Sequence, residues 1–371
     1  MASLVCHSAV RLFPPVNSDR WRAVNLYTKV TYGCSPLAAM LLVAFMGGAN
    51  RQEIVQLFLR KYCFEEAVTD ASISTLLELR LLTQPDDYSH QKCSRLCREW
   101  SRYGWVDTAD YQLATLDYPF ADYAADGREI DFQRMREYVN DEPDTERSKT
   151  YPSPEDRITA PNTLCALEEL SESFSSVWTT EPPLQRFTKE HCLTLMSAVF
   201  GVLKRRPLSD SPELIEAAIN KTSPSGGSRH PTEAYLFACN IQGLGSGVYH
   251  FNIDNSSLDA IGDLDTSEPT LMRMFSGPMR ASFRIDAFVV MTSVFDRSMW
   301  RYREPRSFRA IYMDVGHLCG TLDIVAKSLG LNCLVQHGLS EQPIAKLLGT
   351  HTLTEGVIYG AALGGSDARP I

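Results

Sequence analysis

Six apolar residues, Ile311, Val315, Leu318, Leu322, Val325 and Leu329, recur every three or four positions near the end of the chain. That spacing draws one continuous stripe down a long helix. Gly330 follows and predicts its end. Gly316 and Gly320, four apart, each cost about 1 kcal/mol against alanine inside a helix. Such a cost points to close approach of another backbone or a ligand.

The rest of the pattern is mixed. Residues 20–105 read as helical. Ser35 before Pro36 predicts a helix start with proline at the first position. Asn50 and Asp70 read as further caps, and residues 52–61 and 71–82 carry helical apolar spacing. A helix is predicted over 191–203, and another from Ser211 and Pro212 to Ile219. Residues 235–241 and 248–253 read as a β-hairpin across the glycines at 243, 245 and 247. That G-x-G-x-G joins two strands instead of opening a helix, so it is not a dinucleotide site. Residues 286–294 read as a buried strand. Strands mixed with long helices predict an α+β sheet covered by helices. No internal repeat is present.

Length, 371 residues, argues for two domains. Residues 124–160 are rich in Asp, Glu, Arg, Pro and Ser and poor in aliphatics, which reads as an acidic linker with the boundary near its end. The expected division is 1–160 and 161–371. The chain is 44% hydrophobic and 22% charged, with a net charge of −9. It has no concentrated basic face, so nucleic acid is excluded as a partner. The longest apolar run, 37–46, is too short for a bilayer. The start lacks the basic and apolar regions of a secretory signal. The ten cysteines are scattered without a disulfide framework, and Cys63, Cys165, Cys192, Cys239 and Cys319 sit among apolar neighbours. Together these place the protein in the cytoplasm.

Candidate chemistry concentrates in residues 221–235, K-T-S-P-S-G-G-S-R-H-P-T-E-A-Y. The glycines let backbone approach a flat, polar-edged ligand. The serines donate hydrogen bonds, and Arg229 offers a charge suited to phosphate. A plain surface turn uses the same residues. His90, Cys93 and Cys97 lie near metal-ligand spacing on one probable helix, without a fourth ligand nearby, and are not read as a metal site. His317, inside the long helix, reads as a buried or interface histidine.

The segment resembles the signature loop of the SagB-type dehydrogenases (McbC-like azoline oxidases) of the nitroreductase superfamily, through Pro224, Ser225, Gly226, Gly227, His230, Pro231, Glu233 and Tyr235. Residues 306–330 resemble the family's central helix, with its D/E-x-G-H step at Asp314, Gly316 and His317. The resemblance covers 161–371 well and the first 160 residues weakly. It implies a nitroreductase-like α+β fold with an antiparallel-rich sheet flanked by helices. A small helical, winged-helix-like module precedes it. It also implies a homodimer built on the central helix, with FMN at the interface.

On that resemblance Ser223, Pro224, Ser225, Gly226, Gly227 and Arg229 would lie along the flavin. Gln336, His337 and Gly338 would present a backbone N–H to its N5, and Arg369 would meet its phosphate. Two departures stand out. The family's Arg-x-Ser phosphate element is replaced by L-S-E-S-F-S-S-V at 170–177, which leaves Arg229, Lys221, Arg369 or the run Lys204, Arg205, Arg206 for the phosphate. The family's Lys-Tyr catalytic pair becomes Arg301 and Tyr302. Arginine stays protonated and cannot act as a base, so Tyr302 is expected to carry proton transfer while Arg301 holds charge or orients substrate. The implied activity is dehydrogenation of an azoline in a ribosomally made peptide, with oxygen reoxidising the flavin and a cyclodehydratase or peptide leader as partner. Another flavin-dependent two-electron reaction on a peptide or metabolite, or a flavin-free scaffold, remains open.

Overall fold

Ala287, Phe288, Val289, Val290 and Met291 are five consecutive buried apolar residues in one strand. Such a run needs a packed layer on each face. The computed structural model, which describes residues 3–16, 19–119, 127–174, 186–206 and 218–365, supplies both. Seven antiparallel strands run in the order Asn332–Gln336, Glu355–Gly364, Ala287–Val294, Thr232–Ala238, Gly247–Asn252, Ser257–Gly262 and Arg157–Thr159. Side-chain alternation divides the core. Leu236, Val289 and Met291 join Leu193, Val315 and Leu322 from the helices Lys189–Phe200 and Phe308–Ser328. Tyr235, Phe237, Phe288 and Val290 join Leu271, Met274, Ile344 and Leu348 from Glu268–Met274 and Glu341–Leu348. The sheet is therefore antiparallel and flanked by helices, as expected.

The central helix spans Phe308–Ser328 and buries Ile311, Val315, Leu318, Leu322 and Val325. A Cβ on Gly316 or Gly320 would meet nothing within 4 Å among the described residues outside the helix itself. His317 likewise lies on the exposed side.

Contact density divides the chain into Met1–Phe120 and Ala121–Ile371. The first unit is mixed α/β. Ser35 and Asn50 cap the helices Pro36–Ala44 and Arg51–Tyr62. Asp70, expected as a cap, lies inside the helix Glu66–Glu78, where its carboxylate takes Arg51 Nε at 2.6 Å. Two strands, Trp21–Asn25 and Val30–Cys34, stand where helix was expected and pair antiparallel. Cys63 and Cys165 are exposed; Cys192 and Cys319 are buried. Among the described residues no helix is long and apolar enough to cross a membrane.

The second unit includes the segment read as a linker. Arg157–Thr159 is the sheet's edge strand, and Arg157 grips the buried Asp259 at 2.8 Å. The helix Gly127–Asp141 buries Met135 against Trp300. Asp144 takes Arg229 at 2.6 Å and Arg147 at 2.7 Å. Polar composition hid this, because these carboxylates are buried in ion pairs instead of solvated. The helix expected up to Ile219 lies mostly outside the described residues, and Ala218–Asn220 is a strand paired with Lys204–Arg206.

Removing Asp144 strands two guanidiniums that are each 1% exposed. Breaking a buried pair from one side costs about 3–5 kcal/mol. Asp144→Ala should therefore lower the unfolding free energy of the second unit by that amount in urea denaturation. An unchanged midpoint would make 127–147 the linker that its composition suggests.

Candidate active site

The loop 223–229 is stapled along the central helix by its own polar residues. Ser223 Oγ lies 2.7 Å from Thr321 Oγ1. Ser225 Oγ donates to Asp314 Oδ2 at 2.6 Å, and the Gly226 N–H donates to Asp314 Oδ1 at 3.1 Å. The His230 N–H returns to Ser225 Oγ at 2.9 Å. Burial pushes the Asp314 carboxyl above its ordinary value, against the pull of those two donors. Pro224 is exposed.

Gly227 has φ +59°, where a side chain is strained. A Cβ there would sit 2.1 Å from Tyr302 Oη and 2.7 Å from Arg301 Nη1. Arg301 Nη1 donates to the Gly227 carbonyl at 2.8 Å, and Nη2 lies 2.5 Å from Asp131 Oδ2. Its guanidinium also lies 5.2 Å from the centre of the Tyr302 ring. The two residues expected to carry chemistry thus both lie against Gly227 of the loop.

Arg229 is placed otherwise than a phosphate ligand requires. It is 1% exposed, donates to Asp144, Thr145 Oγ1 and the Arg297 carbonyl, and lies over the Trp300 ring. Burial pushes it down to about 10, against the pull of Asp144, so it stays cationic at neutral pH. Its charge is used inside the fold. Among the other phosphate candidates, Arg205 pairs with Asp254 at 2.5 Å, and Arg369 lies outside the described residues. Burial pushes the Lys221 ammonium down to about 8, and it makes no ion pair among the described residues.

The second expected group lies at the far edge of the sheet. Gln336 Oε1 accepts from the Gly277 N–H at 2.6 Å, while its buried Nε2 has no partner. His337 and Gly338 are exposed, and among the described residues their N–H groups have no acceptor. No hydrogen bond among the described residues joins this turn to the loop 223–229. Among the described residues there is also no cluster of His, Cys, Asp and Glu placed to hold a metal. Within the first unit, His90 Nδ1 accepts from the Ser8 N–H, and Cys93 is buried.

Beside Tyr302 opens a cleft of 880 Å³. Phe295, Trp300, Tyr302, Phe308, Ile311 and Leu353 line it, with the carboxylates Glu142, Asp296 and Glu304. Sequence reading missed this cleft and the positioning roles of Asp131, Glu142 and Asp144. No local pattern announces them, because Arg301, Arg303 and Arg229, which they hold, lie 170, 161 and 85 residues away.

Residues 206–365 match the Nitroreductase family model. The chain is 38% identical to the trifolitoxin-processing protein TfxB of Rhizobium leguminosarum bv. trifolii over 132 residues, 35% of this chain and 35% of that protein. It is 26% identical to the trifolitoxin-processing protein TfxF of the same organism over 193 residues, 52% of this chain and 63% of that one. The chain thus spans between about a third and two-thirds of the length of these relatives. Among solved structures, it is 19% identical to a chain of the E. coli microcin synthetase McbBCD complex, solved with truncated pro-MccB17 bound. That likeness covers 67% of this chain and 96% of the other, with a TM-score of 0.41.

The two glycines of the loop differ in what they tolerate. A Cβ on Gly226 would meet only Ala310 Cβ, at an ordinary 3.5 Å. Gly227→Ala should cost at least 1–2 kcal/mol from its left-handed backbone alone, with the Tyr302 clash added. Gly226→Ala should cost well under half of that. Thermal and urea unfolding of the two variants checks the order.

Proposed function

We propose that this chain, whose residues 206–365 form a nitroreductase-family domain, is an FMN-dependent oxidoreductase of the SagB type that acts on a ribosomally synthesised peptide. Its proposed reaction is dehydrogenation of an azoline ring to an azole. The position of Tyr302 carries the reading. Its hydroxyl lies where a Gly227 side chain would be, and the same residue lines the open cleft. A proton-moving group between a bare backbone loop and a cleft is the arrangement a dehydrogenation needs. The peptide substrate is supported by the partial matches to two trifolitoxin-processing proteins.

The residues present suit the ring system of a flavin. The loop 223–229 offers two glycines without Cβ atoms, and His337 and Gly338 offer N–H groups without an acceptor among the described residues. Arg369 is the proposed phosphate ligand, since Arg229 is neutralised internally. FMN, when bound, supplies the two-electron acceptor, which O2 restores. Tyr302, as its phenolate, would take the proton that leaves the substrate ring, the hydride going to the flavin. Arg301 holds the Gly227 carbonyl and cannot serve as the base. The first unit is assigned to the peptide leader or a cyclodehydratase partner, in the cytoplasm.

The cofactor groups fall on separate parts of one chain, which favours a homodimer. The exposed side of the central helix carries Tyr312 at 53%, Met313 at 57%, and the two open glycines Gly316 and Gly320. A second copy seated there would account for glycines that cost helix stability and contact nothing within their own chain. The flavin-free scaffold retains one observation in its favour: the described loop offers no uncommitted arginine.

Three outcomes follow. Purified protein should carry about one FMN per chain by absorbance and by the mass released on denaturation. Tyr302→Phe should keep that flavin and lose roughly 10²–10⁴-fold in turnover, read as loss of two hydrogens from an azoline peptide. Absence of flavin after incubation with excess FMN favours the scaffold, and full turnover in Tyr302→Phe removes its role. Gly316→Phe should convert a dimer to monomers in analytical ultracentrifugation without lowering the unfolding midpoint, because its Cβ points into open space.

A further inference from the structure

The cleft beside Tyr302 has a chemical character that the proposed activity does not explain. Its volume, 880 Å³, falls in the range of sites that bury a ligand, about 300–1,000 Å³. Its walls are chiefly aromatic and aliphatic, from Phe295, Trp300, Phe308, Ile311 and Leu353. Its charges are unbalanced. Arg303, the one cation of the lining, pairs with Glu142 and lies 3.8 Å over the Tyr138 ring, so it is committed. Asp296 and Glu304 form no ion pair among the described residues. Glu304 accepts the backbone N–H groups of Arg306, at 2.6 Å, and Ser307; burial pushes its carboxyl above the ordinary value, against the pull of those donors and of the Arg306 charge. An unpaired carboxylate beside an apolar wall gains more from a visiting cation than one in bulk water, because the local dielectric is lower.

We infer that this cleft binds a peptide stretch in which a large apolar or aromatic side chain stands next to a lysine or arginine. The inference rests on the reading that the substrate is a peptide, and it names which peptide the site selects. The apolar wall supplies affinity through buried area. The two carboxylates select the neighbouring charge and reject acidic segments. The cleft opens on Tyr302, so the bound segment also sets which ring reaches that hydroxyl.

The test is isothermal titration of the full chain, as purified, with three capped tetrapeptides at up to millimolar concentration: Ac-Ala-Phe-Lys-Ala-NH2, Ac-Ala-Phe-Glu-Ala-NH2 and Ac-Ala-Ala-Lys-Ala-NH2. The first should bind at least tenfold tighter than either other. The double variant Asp296→Asn, Glu304→Gln should erase the preference for lysine over glutamate while its unfolding midpoint is unchanged. Equal binding of the Lys and Glu peptides overturns the inference. So does a lack of binding by all three, and so does a change of oligomeric state in the double variant, which would assign the cleft to a second copy of the chain. Heat of binding needs neither flavin nor turnover, so FMN content and two-hydrogen loss in the same preparation judge the oxidoreductase reading separately.

Discussion

One buried carboxylate organises the site. Asp144 is 5% exposed and holds two guanidiniums, Arg147 and Arg229, that are each 1% exposed. Burial alone would raise its pKa, but hydrogen bonds and charge from the two arginines outweigh that and hold the carboxyl below its ordinary value. The group is therefore ionised at neutral pH. The arrangement ties an acidic segment to the far side of a loop 85 residues away. Arg229 in turn lies beneath Trp300, whose ring packs with Met135 from the same acidic segment.

Tyr302 depends on that frame. It follows Trp300 and Arg301, which the segment 127–147 fixes through Met135 and Asp131. It faces a loop that Asp314 fixes from the central helix. Two independent anchors thus converge on one hydroxyl, the first from the chain before the domain's sheet and the second from the helix at its centre. Anchoring from both sides narrows the positions that a side chain can take.

Local pattern made much of this legible. The stripe Ile311 to Val325, the buried strand Ala287–Val294 and the hairpin around His250 are all present, because periodicity reports which side of an element is buried. The glycine loop was legible because its residue types are rare together. Three things were not. Arg229 looked like a phosphate ligand because sequence shows a charge and not its counter-charge. The acidic segment looked solvated for the same reason. The strands at Trp21–Asn25 and Val30–Cys34 were read as helix because short strands carry few positions to count. Long-range ion pairs leave no period in the chain, and the site is built mostly from them.

The arginine at position 301, where the resemblance led one to expect lysine, gains a physical meaning in this frame. A lysine ammonium is a compact point charge on a flexible stem, and its three donors fan out from one atom. Arg301 uses two nitrogens of a planar fork, one on the Gly227 carbonyl at 2.8 Å and the other on Asp131 at 2.5 Å. That geometry joins loop and helix Gly127–Asp141 at once, and it leaves Nε buried without a partner. The residue cannot exchange a proton at any working pH. Its role is therefore mechanical and electrostatic: it holds the loop and presents positive charge to the neighbouring phenol. The Tyr302 hydroxyl, by contrast, lies beside Gly227 of the loop, and the residue lines the cleft. The arginine and the acidic helix that neutralises it are best understood as one feature, since neither placement makes electrostatic sense without the other.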